Sequence, residues 1–244
     1  MTALPPFTRA ALLLVLAAAP VAILSGFGAR AGWWDFRTGF QILRWAAYGG
    51  LGSAVVGAIG IIVALWQRQW RHAMISAGVL VLGVLVVGIP LQMQRTAQSV
   101  PAIHDISTDT DHPPEFVALL PIRKGAPNGT AYGGPDIAAQ QHKAYPDIQP
   151  LTLHVPPEKA FIQALKAMDA MGWDVIDASP AEGRIEATDT TFWFGFKDDV
   201  VVRIGAQGDR SRVDVRSVSR VGKSDVGTNA KRIRKYEQKI SEAR

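Results

Sequence analysis

Between Arg216 and Arg234 the chain reads RSVSRVGKSDVGTNAKRIR, a strand-like segment, a Gly-Lys-Ser turn and the start of a basic helix. Residues of these types in this order bind anions. A phosphate-binding loop needs Gly-x-x-x-x-Gly-Lys-Ser/Thr, because only small residues let successive backbone N–H groups curl around a phosphate. Gly222, Lys223 and Ser224 satisfy the end of that pattern, but Ser217 stands at the first glycine position and Val218 and Val221 add bulk. A nucleotide loop is therefore not supported. A weaker anion site remains. Ser224 or Asp225 is a good N-cap for the helix that follows, and helix N-termini attract anions. By period two, Arg212, Asp214, Arg216, Val218 and Arg220 share one strand face. Arg216, Arg220, Lys223, Ser224 and Arg232 are thus the candidate anion-binding residues. The competing reading is that these cations meet the domain's own carboxylates.

A second constellation is His104, Asp105, Asp109, Asp111 and His112, whose oxygen and imidazole groups are of the kind that ligate a divalent metal. The spacing matches no defined metal loop, and Asp/Thr-rich chain also makes Asx-turns. Asp198 and Asp199 are adjacent, cannot work as a facing acid/base pair, and read as a hairpin turn. FWFGF, Phe192 to Phe196, reads as an aromatic strand with Phe192, Phe194 and Phe196 on the core side. No Ser/His/Asp order with a nucleophile elbow and no HExxH occurs. No catalytic residue and no cofactor is expected.

These residues lie beyond three apolar runs. The runs cover about 10–27, 45–66 and 73–93, each long enough as a helix to cross a hydrocarbon core of about 30 Å. The tryptophans Trp33, Trp34, Trp66 and Trp70 fit interfacial belts. Gly49, Gly50, Gly52, Gly57 and Gly60 let the second helix approach its neighbours, and Ser53 with Gly57 forms a small-xxx-small pair. Three spans put the termini on opposite sides. Arg9, Arg68 and Arg71 on one side nearly balance Arg30, Arg37 and Arg44 on the other, so loop charge does not decide orientation. A short N-terminus with little charge starts inside, which places the C-terminal domain outside.

The chain of 244 residues carries a net charge of +5, but from Arg95 onward basic and acidic residues number 20 each. The soluble part is neutral, so nucleic acid is not an expected partner. Cysteine is absent, which excludes disulfides, thiolate nucleophiles and Cys-ligated metals. Residues 1–94 form the membrane domain. Residues 95–150, rich in Pro, Gly, Asp and Thr, read as extended linker and the start of the soluble domain. Residues 151–244 form its compact part: a strand in IQPLTLHV, a helix in PPEKAFIQALKAMDAMG, strands in WDVIDAS, RIEATDT, DVVVRIGA and SRVDVRSVS, and a helix over Val226–Ala243. The order β-α-ββββ-α implies an antiparallel sheet covered by helices, an α+β domain.

IHDISTDTDHPPEF, RIEATDTTFWFGFKDDVVVRI and RVDVRSVSRVGKSDVGTNAKRIRKYEQKI together resemble the DUF1499 family over about 100–240. The resemblance implies domain limits but no activity and no site residues. The residues themselves point to a multi-pass protein of the bacterial cytoplasmic membrane with a periplasmic domain. Its expected partners are the lipid bilayer, an anionic lipid headgroup or envelope polymer, and other membrane proteins. Two alternatives stand beside this binding module: a metal-assisted hydrolase, and a structural scaffold of a membrane complex.

Overall fold

The computed structural model of the protein describes residues 4–243. The chain divides into two compact units. One holds the N-terminal part up to Arg95 together with Phe192–Gly195, and the other holds Thr96–Thr191 and the chain from Phe196 onward.

The first unit contains α1 (Pro6–Arg30), α2 (Phe36–Trp66) and most of α3 (Trp70–Ser99). All three are long and apolar enough to cross a membrane. They extend past the apolar runs because nothing at the run ends stops a helix. Pro5 and Pro6 open α1, and Asp35 caps α2 by accepting the N–H of Arg37 at 2.8 Å and of Thr38 at 3.2 Å. Pro20 and Pro90 lie inside their helices without ending them.

Burial in this unit is inverted relative to a water-soluble bundle. The inward positions of α2 include Gly50, Ser53, Ala54, Gly57 and Gly60. Large side chains face out, with Leu13 63%, Ile62 69% and Leu85 60% exposed. Such a surface is at home in hydrocarbon, where helices associate by close packing of small residues. Gly57 shows why: a Cβ there would lie 2.8 Å from the backbone nitrogen of Leu80. Gly49 faces Ala18 of α1, and Gly83 of α3 faces Ala54.

The second unit is built on β1 (Asp105–Ser107), β2 (Leu151–Leu153), β3 (Asp174–Ser179), β4 (Arg184–Thr190), β5 (Lys197–Gln207) and β6 (Arg210–Ser219), with α4 (Leu120–Arg123), α5 (Pro135–Ala144), α6 (Pro157–Met171) and α7 (Thr228–Glu242). The sheet runs β1-β6-β5-β4-β3, and β2 also pairs with β6. All pairings are antiparallel. It is the α+β domain expected from the strand and helix order.

Alternation along β5 and β6 decides what each sheet face carries. Val200, Val202, Ile204, Val213 and Val215 point to α6 and α7, where they join Phe161, Met168, Ile233 and Tyr236 in the main core. Each such buried aliphatic side chain is worth about 1.5–3 kcal/mol. Trp173 stacks on Tyr236 at 5.0 Å between ring centroids. Gly172, left-handed at φ 71°, ends α6.

Four expectations need correction. The segment 95–150 is not merely linker. It supplies β1, α4 and α5 and covers the second sheet face, where Phe116 and Leu119 pack on Val201 and Val218. Gln141 of α5 mimics a neighbouring strand, exchanging hydrogen bonds with the N–H and C=O of Ser107 at 3.0 and 2.7 Å. FWFGF is a turn rather than a strand: Phe194 is buried, while Phe192 is 78% exposed. Asp198 and Asp199 are no turn; they are buried residues of β5. The last helix starts at Thr228, two residues later than its polar pattern implies, because Val226 and Gly227 are left-handed at φ 55° and 75°.

Candidate functional site

The anion-binding candidates occupy the end of β6 and the turn into α7. Arg216 and Arg220 share one face by period two, and that face lies away from the main helices. Both are taken. Arg216 donates Nε and Nη2 to the two oxygens of Asp105 at 2.9 and 2.7 Å, and it donates further to the carbonyls of Pro114 and Thr130. The rings of Phe116 and Tyr132 lie 5.5 Å from its guanidinium carbon. The side chain is 2% exposed. Arg220 makes a fork onto Asp199, at 2.8 Å for both bonds.

Asp199 is the hub of this face. Besides Arg220 it accepts from Arg123 Nη1 and Thr188 Oγ1, both at 2.6 Å. Burial acts to raise its carboxyl, but the hydrogen bonds from Arg220, Thr188 and Arg123 outweigh that and hold it below the usual range. Its neighbour Asp198 points through the sheet to the other side. There Arg232 of α7 donates to Asp198 at 2.5 Å, to Asp189 at 2.8 Å and to Ser217 Oγ at 3.2 Å, and it also bonds Asn229. Two adjacent carboxylates on opposite strand faces therefore staple two different layers to the sheet.

The turn between them is equally self-contained. The Asp225 side chain accepts the N–H of Gly227 at 2.8 Å and of Asn229 at 2.7 Å. Burial pushes its carboxyl up, Asp198 adds to the rise, and these backbone donors work against it. The helix start is thus neutralised by the chain's own anion. Ser224 Oγ accepts from Val226 N–H at 3.1 Å. Val226, a β-branched residue in the left-handed region, is strained, and the two preceding side chains hold it there, Ser224 by accepting its N–H and Asp225 by accepting that of Gly227. Of the five candidates only Lys223 is exposed. Lys124 and Lys197, also exposed, are chain neighbours of this network. Lys124 follows Arg123, and the carbonyl of Lys197 accepts the N–H of Arg220 at 3.0 Å.

The His/Asp stretch serves the cover segment. Asp105 is paired with Arg216. Asp109 bonds Arg203 at 3.0 Å, Arg212 at 2.8 Å and the backbone N–H of Asp111 and His112. Burial acts to raise Asp109, yet the His112 N–H and the two guanidiniums bring it below its ordinary value. Asp111 and His112 are exposed, and His104 contributes its carbonyl to Asn229 and Ser219. Among the described residues no three His, Asp or Glu side chains gather as a metal site.

Sequence reasoning missed Asp198, Asp199, Arg123, Glu186 and Asn229. The DVVVRI alternation already begins at Asp199 and puts it on the same strand face as Val201 and Arg203, which the reading of Asp198 and Asp199 as a turn overrode. Glu186, fully buried on β4, accepts the N–H groups of Val117, Ala118 and Leu119 at 2.8, 3.0 and 2.8 Å and the guanidinium of Arg184. It caps the turn into α4, and no local spacing signals that partnership across the sheet.

No curated protein sequence matches the chain. A family described as "Protein of unknown function (DUF1499)" matches residues 105–240. That range opens at Asp105, the partner of Arg216, and closes at Ile240, a core residue of α7. It takes in the sheet and both layers stapled to it, over more than half of the chain, and the protein accordingly belongs to the DUF1499 family.

Proposed function

We propose that the protein is a membrane-anchored binding module of the bacterial cell envelope. Its DUF1499 domain lies on the outer side of the cytoplasmic membrane, and its exposed lysines meet the phosphate of anionic lipid headgroups. One observation carries this reading. Arg216, Arg220 and Arg232 are closed by Asp105, Asp199 and the Asp198/Asp189 pair, while Lys223, Lys124 and Lys197 beside them are exposed. The arginines and Ser224 shape the surface, and the lysines supply the free charge. Lys197 is two residues from Gly195, which groups with the membrane helices. At most about 7 Å of extended chain separates the two. A basic residue near an anionic bilayer surface is worth about 1 kcal/mol.

The test is binding of short-chain phosphatidylglycerol to the purified full chain in neutral detergent, with phosphatidylcholine as the comparison. The triple variant Lys124→Glu, Lys197→Glu, Lys223→Glu should keep its thermal midpoint and bind the anionic lipid roughly 100-fold more weakly. Equal binding by the variant, or equal binding of the two lipids, would reject the reading.

A further inference from the structure

The helix α2 is 31 residues long, about 46 Å at about 1.5 Å per residue, against a hydrocarbon core of about 30 Å. Part of it therefore lies outside the hydrocarbon. Trp66, 86% exposed at its C-terminal end, and the exposed Trp70 at the start of α3 mark one interface. About 20 residues back from Trp66 the helix reaches Ala46. There Trp45 and Tyr48 are exposed and meet edge-on at 5.7 Å between ring centroids. Arg44 stands one residue further out. It is exposed, and no hydrogen bond or ion pair joins its guanidinium to any described residue. The neighbouring helix α3 changes character at the same height. A Cβ at Gly50 would lie 2.9 Å from Cβ of Val86. Arg44 is six residues from Gly50, which brings it level with Gln92, six residues beyond Val86 on the antiparallel α3. The apolar run of α3 ends at Met93, and the exposed Gln94 and Arg95 follow. Trp34, in the turn between α1 and α2, is instead folded back onto α1, donating Nε1 to the carbonyl of Ser25 at 3.0 Å.

We propose that Arg44 pairs with the phosphodiester of a phospholipid headgroup, and that Trp45 and Tyr48, rather than Trp33 and Trp34, form the aromatic belt at this end of α2. A charge at membrane depth is costly without a partner, and the arginine fork matches a phosphate. The chain offers no substitute nearby. Its one carboxylate before Arg95 is Asp35, nine residues away and spent on capping α2. Gln41, Arg44, Tyr48, Leu51 and Val55 are all exposed at i, i+3, i+7, i+10 and i+14, one stripe down the outside of α2. A lipid finds its parts in order along that stripe: phosphate at Arg44, glycerol esters beside Tyr48, acyl chain on Leu51 and Val55. The first two turns of α2, residues 36–43, then stand among and above the headgroups. Arg44 meets a phosphate on whichever side of the membrane this end of α2 lies, and in zwitterionic as well as anionic lipid.

The chain has no cysteine, so introduced thiols report without background. In phosphatidylcholine nanodiscs, open on both faces, the full chain carrying Gln41→Cys should react with a membrane-impermeant maleimide about as fast as Arg37→Cys. Leu51→Cys should react roughly 100-fold more slowly, because the reactive thiolate does not form in hydrocarbon. If Gln41→Cys is as slow as Leu51→Cys, the boundary lies at the turn between α1 and α2 and the proposal falls. If Leu51→Cys reacts as fast as Gln41→Cys, α2 is not in hydrocarbon below Arg44 and the proposal falls as well. The phosphate contact itself is read by carbon–phosphorus dipolar dephasing in the same nanodiscs, sedimented, with isotope-labelled guanidinium carbons. A fork onto a phosphate brings the arginine Cζ to about 4 Å from phosphorus. Arg44→Gln should remove a dephased signal equal to one arginine. Dephasing that is unchanged in Arg44→Gln would overturn the pairing, whatever the labelling pattern.

Discussion

Asp199 shows how much one residue carries in this domain. It is fully buried and takes hydrogen bonds from two arginines and a threonine. Removing one partner of a buried pair leaves the other charge uncompensated, at a cost of about 3–5 kcal/mol. Asp199→Asn should therefore lower the unfolding free energy of the full chain by that amount in denaturant titrations. Lys223→Glu should change it by less than about 0.5 kcal/mol. The pH dependence follows from sign. A carboxyl held below its ordinary value when folded contributes fully above its unfolded pKa, and that contribution is lost as pH falls through the folded pKa. The opposite case is Glu237, raised from 4.5 to about 7 by burial, with repulsion from Asp147 added and Arg234 offsetting part. One of its oxygens is buried without a hydrogen-bond partner. The folded state holds this proton more tightly than the unfolded chain, so stability should fall as pH rises from about 4.5 to 7. In Glu237→Gln that part of the thermal-midpoint curve should flatten; an unchanged slope would count against the assignment. The arginine face was legible from period two, and Asp199 was not. An Asp-Asp pair also reads as a turn, and its partner Arg123 is distant in sequence.

At the scale of elements, apolar length and period did most of the work. The three long helices, α6 with its terminal glycine, and the strands β3 to β6 follow from residue patterns that burial on one face or in lipid requires. What misled was chemistry that local pattern does not encode. FWFGF has the composition of a strand, but its first four residues, Phe192–Gly195, group with the long helices of the first unit. The segment 95–150 has the composition of a linker, yet Glu186 reaches it from β4 and Gln141 of its own α5 ties back to Ser107, which gives it fixed structure. The small-residue face of α2 allows a paired prediction. Gly57 sits 2.8 Å from backbone as a would-be alanine, whereas nothing lies within 4 Å of Gly52. Gly57→Val should lower the thermal midpoint in detergent by the equivalent of about 1–3 kcal/mol. Gly52→Val should leave it unchanged, and equal effects would contradict the packing of α2 on α3.

For the whole molecule the charge balance is decisive. From Arg95 onward basic and acidic residues are equal in number, and the arginines and carboxylates have largely paired with each other, in layers stapled to both faces of one sheet. That use of charge explains why a conspicuous basic motif need not be a ligand site: Arg216, Arg220 and Arg232 build the domain. It also leaves Lys124, Lys197 and Lys223 as exposed cations, the groups of the proposed lipid contact. Membrane orientation could not be read from the nearly balanced loop arginines. The proposed outer location predicts that a C-terminal alkaline phosphatase fusion is active, and an inactive fusion with an active cytoplasmic reporter would reverse it. The most direct measurement is the phosphatidylglycerol titration of the full chain against its Lys124→Glu, Lys197→Glu, Lys223→Glu variant. The expected result is a roughly 100-fold loss of affinity at an unchanged thermal midpoint; anionic-lipid binding that survives the triple reversal would contradict it.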